Sequence, residues 1–71
     1  MVKFTKLSEN NSKIIYNFNN GLYGTAEYNK NTDELKIFDD KGKEYESEEV
    51  RFGFYHLKKA GFPETYIYAY C

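Results

Sequence analysis

The stretch SEEVRFGFYHLKKAGFP, residues 47–63, decides how this chain folds. Ser47 is a good helix N-cap, because its hydroxyl can accept from an unpaired backbone N–H of the first turn. Glu48 and Glu49 follow, where negative charge meets the positive end of the helix dipole. Val50, Gly53, Phe54, Leu57 and Ala60 recur at helical spacing and define one buried stripe. Lys58 and Lys59 stand in the last turn, the favourable sign for that end. Gly61 can take a left-handed C′ position, Phe62 can fold back as the hydrophobe after it, and Pro63 stops continuation. The pattern predicts one helix over about Ser47–Ala60.

Upstream the period is two, not 3.6. Val2–Leu7 alternates weakly, and Lys13–Phe18 alternates clearly with Ile14, Tyr16 and Phe18 on one face. Leu22–Tyr28 and Glu34–Asp39 complete a run of four strands. Between them lie turn segments: Ser8–Ser12, Asn20-Gly21 with its positive-φ chemistry, and Asn29–Asp33, with Asp39–Lys43 closing the run. Downstream of Pro63, TYIYAY (residues 65–70) is rich in β-formers and alternates. It reads as a fifth strand, with a short helical tail as the alternative. Four strands in succession, a helical return and a last strand beside the first give an α+β fold. The expected architecture is a single domain over residues 1–71, an antiparallel meander of order 5-1-2-3-4 with one helix on one face.

One helix covers one face. Alternation sorts Phe4, Ile14, Tyr16, Phe18, Gly24, Ala26, Leu35, Ile37, Ile67 and Ala69 to one side. That set is mostly aliphatic and small, and Gly53 on the helix matches it, so it is assigned to the helix. Thr5, Leu7, Ile15, Tyr23, Thr25, Glu27, Lys36, Phe38, Tyr66, Tyr68 and Tyr70 fall on the other side. Tyr presents an apolar body and a polar tip, which suits a half-wet surface. Tyr23, Phe38, Tyr66, Tyr68 and Tyr70 are therefore the candidate binding residues, unless the sheet curls to enclose them as a second small core.

Composition bounds the remaining chemistry. The 71 residues hold 14 aromatics, eight Tyr and six Phe, a density that argues against a disordered chain. A chain this short buries only about 60% of its unfolded surface. Cys71 is the one cysteine and His56 the one histidine, so neither an internal disulfide nor a zinc site is expected to staple it. Large rings or a second subunit must then supply stability. Few cysteines, no signal-peptide pattern and no long apolar run suggest a cytoplasmic protein.

Charge is uneven: +2 over residues 1–32, −5 over 33–49 and +2 over 50–71, with a net of −1. Asp39, Asp40, Glu44 and Glu46 make a candidate acidic surface that could meet a basic partner. They do not form a calcium loop, because Lys41 and Lys43 stand where oxygen ligands are needed. The five glycines show no phosphate-cradle spacing. His56 lacks an orienting acid or a nucleophile at a telling spacing. No catalytic residue, cofactor or metal is assigned.

The functional expectation is a small, non-enzymatic protein-interaction module, with another protein or a second copy of itself as partner. The size and the abundance of residues with AT-rich codons suit an accessory or inhibitory protein of a phage or mobile element. The alternative is a single-stranded nucleic-acid binder that stacks bases on the Tyr-rich sheet face, against which the net negative charge speaks.

Overall fold

A computed structural model describes residues 1–69, so Tyr70 and Cys71 lie outside the described residues. Strands β1 (Val2–Glu9), β2 (Lys13–Asn19), β3 (Tyr23–Asn29) and β4 (Glu34–Asp39) are followed by α1 (Glu48–Lys59) and β5 (Thr65–Tyr68). The five strands form one antiparallel sheet of order β4-β3-β2-β1-β5. This is the expected α+β meander with its last strand beside the first.

Each turn is built by a side chain that replaces a missing backbone partner. Asn10 Oδ1 accepts from the Ser12 and Lys13 N–H groups, and Asn29 Oδ1 accepts from Asn31 and Thr32. Asp39 Oδ1 accepts from Lys41 and Lys43, which turns the chain back along β4. The β2–β3 turn differs from expectation. Asn19 pairs with Tyr23, so the loop has three residues, Asn20 to Leu22, and only Gly21 takes positive φ, at 100°. Asn20 Oδ1 accepts from Leu22 N–H at 3.2 Å within the loop, while its Nδ2 donates to Glu49 Oε1 on α1 at 2.6 Å.

The helix boundaries follow the caps. Ser47 Oγ accepts from Val50 N–H at 3.3 Å. At the other end Gly61 N–H donates to Lys58 O and Phe62 N–H to Leu57 O, the paired bonds of a Schellman motif. Gly61 has φ of 89° and Phe62 has φ of 55°. A left-handed Phe costs roughly 1–2 kcal/mol. Its ring offsets that cost by packing on Tyr28 and Phe54, with centroids 5.5 and 6.3 Å away.

The core lies between α1 and one sheet face. Val2, Phe4, Ile14, Tyr16, Phe18, Ala26, Tyr28 and Ile37 meet Val50, Phe54 and Leu57. Phe54 is the hub: Phe4 and Tyr16 approach its ring edge-on at 6.1 and 5.8 Å, and Tyr28 lies 5.6 Å away. Such ring pairs add about 0.5–1.5 kcal/mol each beyond their buried area. The Tyr16 hydroxyl donates to Pro63 O at 2.5 Å, tying the core to the chain after the helix. Among the described residues, every buried side-chain nitrogen and oxygen has a partner.

The last strand corrects the face assignment. Val2 pairs with Tyr68 and Phe4 with Tyr66. Directly opposed residues share a face, so Tyr66 and Tyr68 lie on the helix side, packed against the core. Ile67 and Ala69, expected inside, are exposed. A bulge between Lys6 and Ser8 leaves Leu7 unpaired and exposed.

The small residues also work differently from expectation. Gly24 and Gly53 do not face each other. The Phe18 ring lies over Gly24, its cross-strand partner, and a Cβ there would meet Phe38 O at 2.2 Å and Phe18 Cζ at 2.5 Å. Gly53 sits above Phe4 and Tyr68, where a Cβ would meet ring atoms at 3.0 and 3.1 Å. Gly24→Ala is therefore expected to destabilise by about 3 kcal/mol or more, since a backbone carbonyl cannot step aside. Gly53→Ala gains about 1 kcal/mol of helix propensity against the squeeze on two rings, and should stay within about 1 kcal/mol of the parent. Urea unfolding of both variants measures the difference, and equal midpoints would contradict it.

Candidate functional site

The expected five-ring platform does not assemble. Tyr23 and Phe38 stand on the uncovered sheet face, Tyr23 62% exposed and Phe38 half-buried. Tyr66 and Tyr68 are on the opposite side, and Tyr70 lies outside the described residues. Register shows what fills the open face instead. One row reads Ile67, Lys3, Asn19 and Tyr23, and the next reads Thr65, Thr5, Asn17, Thr25 and Phe38. A third row reads Ile15, Glu27 and Lys36, so the face mixes Thr, Asn and charged groups with the apolar side chains of Ile15, Ile67, Tyr23 and Phe38. The sheet stays open and encloses no second core.

The acidic candidates are mostly engaged in structure. Asp39 builds its turn, and its carboxyl is held below the usual range first by the Lys43 backbone N–H. Glu46 receives Arg51 Nε and Nη2 at 2.7 and 2.8 Å, a bidentate pair that lowers its pKa. Glu44 bridges to Phe38. Asp40 is exposed. Arg51 Nη2 also reaches Leu35 O at 3.3 Å, and Tyr45 N–H donates to Ile37 O. Together these groups cover the β4 edge, which would otherwise template another strand.

The exposed rings that periodicity did not find lie on the outer side of α1. Phe52 and Tyr55 are each 53% exposed. They sit three residues apart on one helix face, with Glu48 four residues before Phe52 and Lys59 four after Tyr55. The Lys59 ammonium lies 4.5 Å from the Tyr55 ring centroid. Beside this ridge, His56 stacks on Tyr68 at 4.9 Å and 16°, which anchors the helix to β5. Glu48, Glu49, Phe52 and Tyr68 line a shallow cleft there. The signal was present in the sequence: these rings fall at helical spacing about half a turn from the buried stripe.

On the other flank of α1, Lys58 Nζ reaches Asp33 Oδ1 at 2.6 Å, and the Tyr28 hydroxyl donates to the same oxygen. Lys58 and Tyr28 hold the Asp33 carboxyl below its usual range, while the bond to Asp33 raises the Tyr28 pKa. Asp33 takes φ of 59°, a left-handed position that Asp tolerates. Each of these displaced groups has a structural partner. Among the described residues, no group of three or more His, Cys, Asp or Glu side chains converges as metal ligands would.

Burial pushes the Tyr16 phenol up to about 12, with Glu9 and Glu64 adding to the effect. The fold thus favours its neutral form. That stability is fully present below the ordinary phenol value of 10 and is lost as pH rises from there to about 12. Tyr16→Phe should cost about 1 kcal/mol at pH 8 through the lost hydrogen bond to Pro63. It should also flatten the alkaline fall, which urea unfolding across pH 8–12 would register. An unchanged alkaline slope would remove Tyr16 as its cause.

Phe52→Gln and Tyr55→Gln are expected to shift unfolding free energy by no more than about 0.5 kcal/mol each, as exposed positions do. Thermal melts of the two variants check this, and a large loss would make the ridge part of the fold's support. Comparison with protein-family models, with curated proteins and with solved structures finds no match for this chain.

Proposed function

We propose that the chain is a non-enzymatic protein-interaction module that docks through the outer ridge of α1. The observation that carries the reading is the pair Phe52 and Tyr55, each 53% exposed on a helix anchored at both caps and pinned by its core stripe. Rings on a rigid support bind at low entropic cost, and aromatic residues are enriched at interface centres. Glu48 and Lys59 flank them as a polar rim. The displaced groups Asp33, Asp39, Glu46 and Tyr16 serve ion pairs, turns or buried hydrogen bonds, which favours binding over catalysis.

No helix among the described residues is long and apolar enough to cross a membrane. A reducing cytoplasm suits a chain whose cysteine content offers no internal pair. Base stacking on the sheet loses its geometric basis, because Tyr66 and Tyr68 do not share a face with Tyr23 and Phe38.

A photoreactive phenylalanine analogue at position 52, compared with the same group at Lys36 on the open sheet face, tests the proposal in cells. Position 52 should give discrete protein adducts that disappear when Tyr55→Gln is added. Adduct yields no higher than at position 36 would overturn the reading.

A further inference from the structure

We propose that the partner of the α1 ridge is a second copy of the same chain, packed antiparallel about a two-fold axis. This inference rests on the interaction reading above and narrows it to one occupant. Its basis is the symmetry of the ridge itself. Glu48, Phe52, Tyr55 and Lys59 are spaced four, three and four residues apart, and all four are exposed. Reversing the helix direction maps the pattern onto its complement. Phe52 then faces Tyr55 of the other copy, and Glu48 faces Lys59, twice over. An isologous contact requires a patch that is complementary to itself, and an acid–ring–ring–base ridge meets that condition.

The neighbouring charges leave these two for the contact. Arg51 is held by Glu46 at 2.7 Å, and Lys58 by Asp33 at 2.6 Å. Among the described residues, Glu48 has no ion-pair partner within the chain, and Lys59 lies over the Tyr55 ring, at the end of the ridge where a partner's Glu48 would arrive. Glu48 and Lys59 are eleven residues apart on the helix. At about 1.5 Å per residue the ridge is about 16 Å long. A contact made by one four-residue ridge of that length buries less than the roughly 1,200–2,000 Å² of a standard stable interface. The dimer is therefore a weak one, with a dissociation constant on the order of 10–100 μM.

Sedimentation equilibrium of the full chain from about 10 μM to 1 mM tests this. The average mass should rise from 8.4 kDa toward that of two chains. Phe52→Glu should weaken association at least tenfold, with circular dichroism confirming that the variant is folded. Glu48→Lys and Lys59→Glu should each weaken it several-fold. Each also opposes the helix dipole, so melting curves are recorded alongside. The double variant Glu48→Lys with Lys59→Glu should return association to within about twofold of the parent, which a merely destabilised helix would not do. A monomer at every concentration overturns the second-copy proposal. Failure of the double variant to recover overturns the antiparallel pairing. Association that survives Phe52→Glu and is lost in Ile67→Lys would place the contact at the β5 edge and overturn it too. In a monomeric protein, adducts from position 52 to a different protein would leave the interaction reading standing. Their absence would remove both.

Discussion

A helix about 10 Å wide has to seal a sheet of five strands spaced about 4.8 Å apart, or about 19 Å across. The rest of the molecule answers that mismatch. Phe54 fills the centre, where Phe4, Tyr16 and Tyr28 converge on its ring. The margins are closed by further aromatic residues. Tyr66 and Tyr68 close the side of β5, while Phe62 and Tyr45 close other parts of the rim. An aliphatic side chain at β5 would be too short to bridge from the outer strand to the helix flank. Tyr68 does so, stacking on His56 and lying under Gly53. The high aromatic content is thus a geometric requirement of a single-helix roof before it is anything functional.

That requirement also redistributes the surface. Once Tyr66 and Tyr68 are drawn under the helix, the uncovered face is left with Thr5, Asn17, Thr25 and Thr65 in one register row. Among the described residues, only Tyr23 and Phe38 of the five expected rings stay on that face. Helix α1 commits its inner stripe to the core, while its outer side keeps two large rings. The edges are treated unequally. Arg51, Tyr45 and the turn at Asp39 occupy the β4 edge, while β5 is limited to four residues.

The fold was largely legible because its signals are local. Ser47, Gly61 and Pro63 mark the helix ends through hydrogen-bond requirements that depend only on neighbouring residues. Alternation in β2 and β3 and the turn chemistry between strands give the meander, and the parity of the strands gives the place of β5. What alternation could not give was the face of β5. Its two sides, Tyr66 and Tyr68 against Ile67 and Ala69, are both apolar enough to be inside, and hydrophobicity favours Ile. Register with β1 decides otherwise, and register is a long-range property. The bulge at Leu7 and the three-residue β2–β3 loop were hidden for the same reason: an insertion in a ladder shows only against the partner strand. For the candidate site, Tyr23 and Phe38 were placed on the correct face. Phe52 and Tyr55 lie behind the buried stripe, where helical spacing marks them only as part of the solvent face.

A domain of this size works with a small surplus of stability, and burying one large apolar side chain contributes about 1.5–3 kcal/mol. Phe52 and Tyr55, each 53% exposed, forgo about half of that. They occupy positions where Lys, Glu or Gln would serve the helix better and keep the surface more soluble. Tyr16 and Tyr28, by contrast, bury their rings and satisfy their hydroxyls through Pro63 and Asp33. The chain therefore has the means to absorb aromatic residues into its core, and it leaves these two outside on its most firmly anchored element. A ridge so placed costs little stability to hold rigid and presents the exposed half of each ring to whatever covers it. The flanking Glu48 and Lys59 set the direction in which a second helix of opposite polarity would lie.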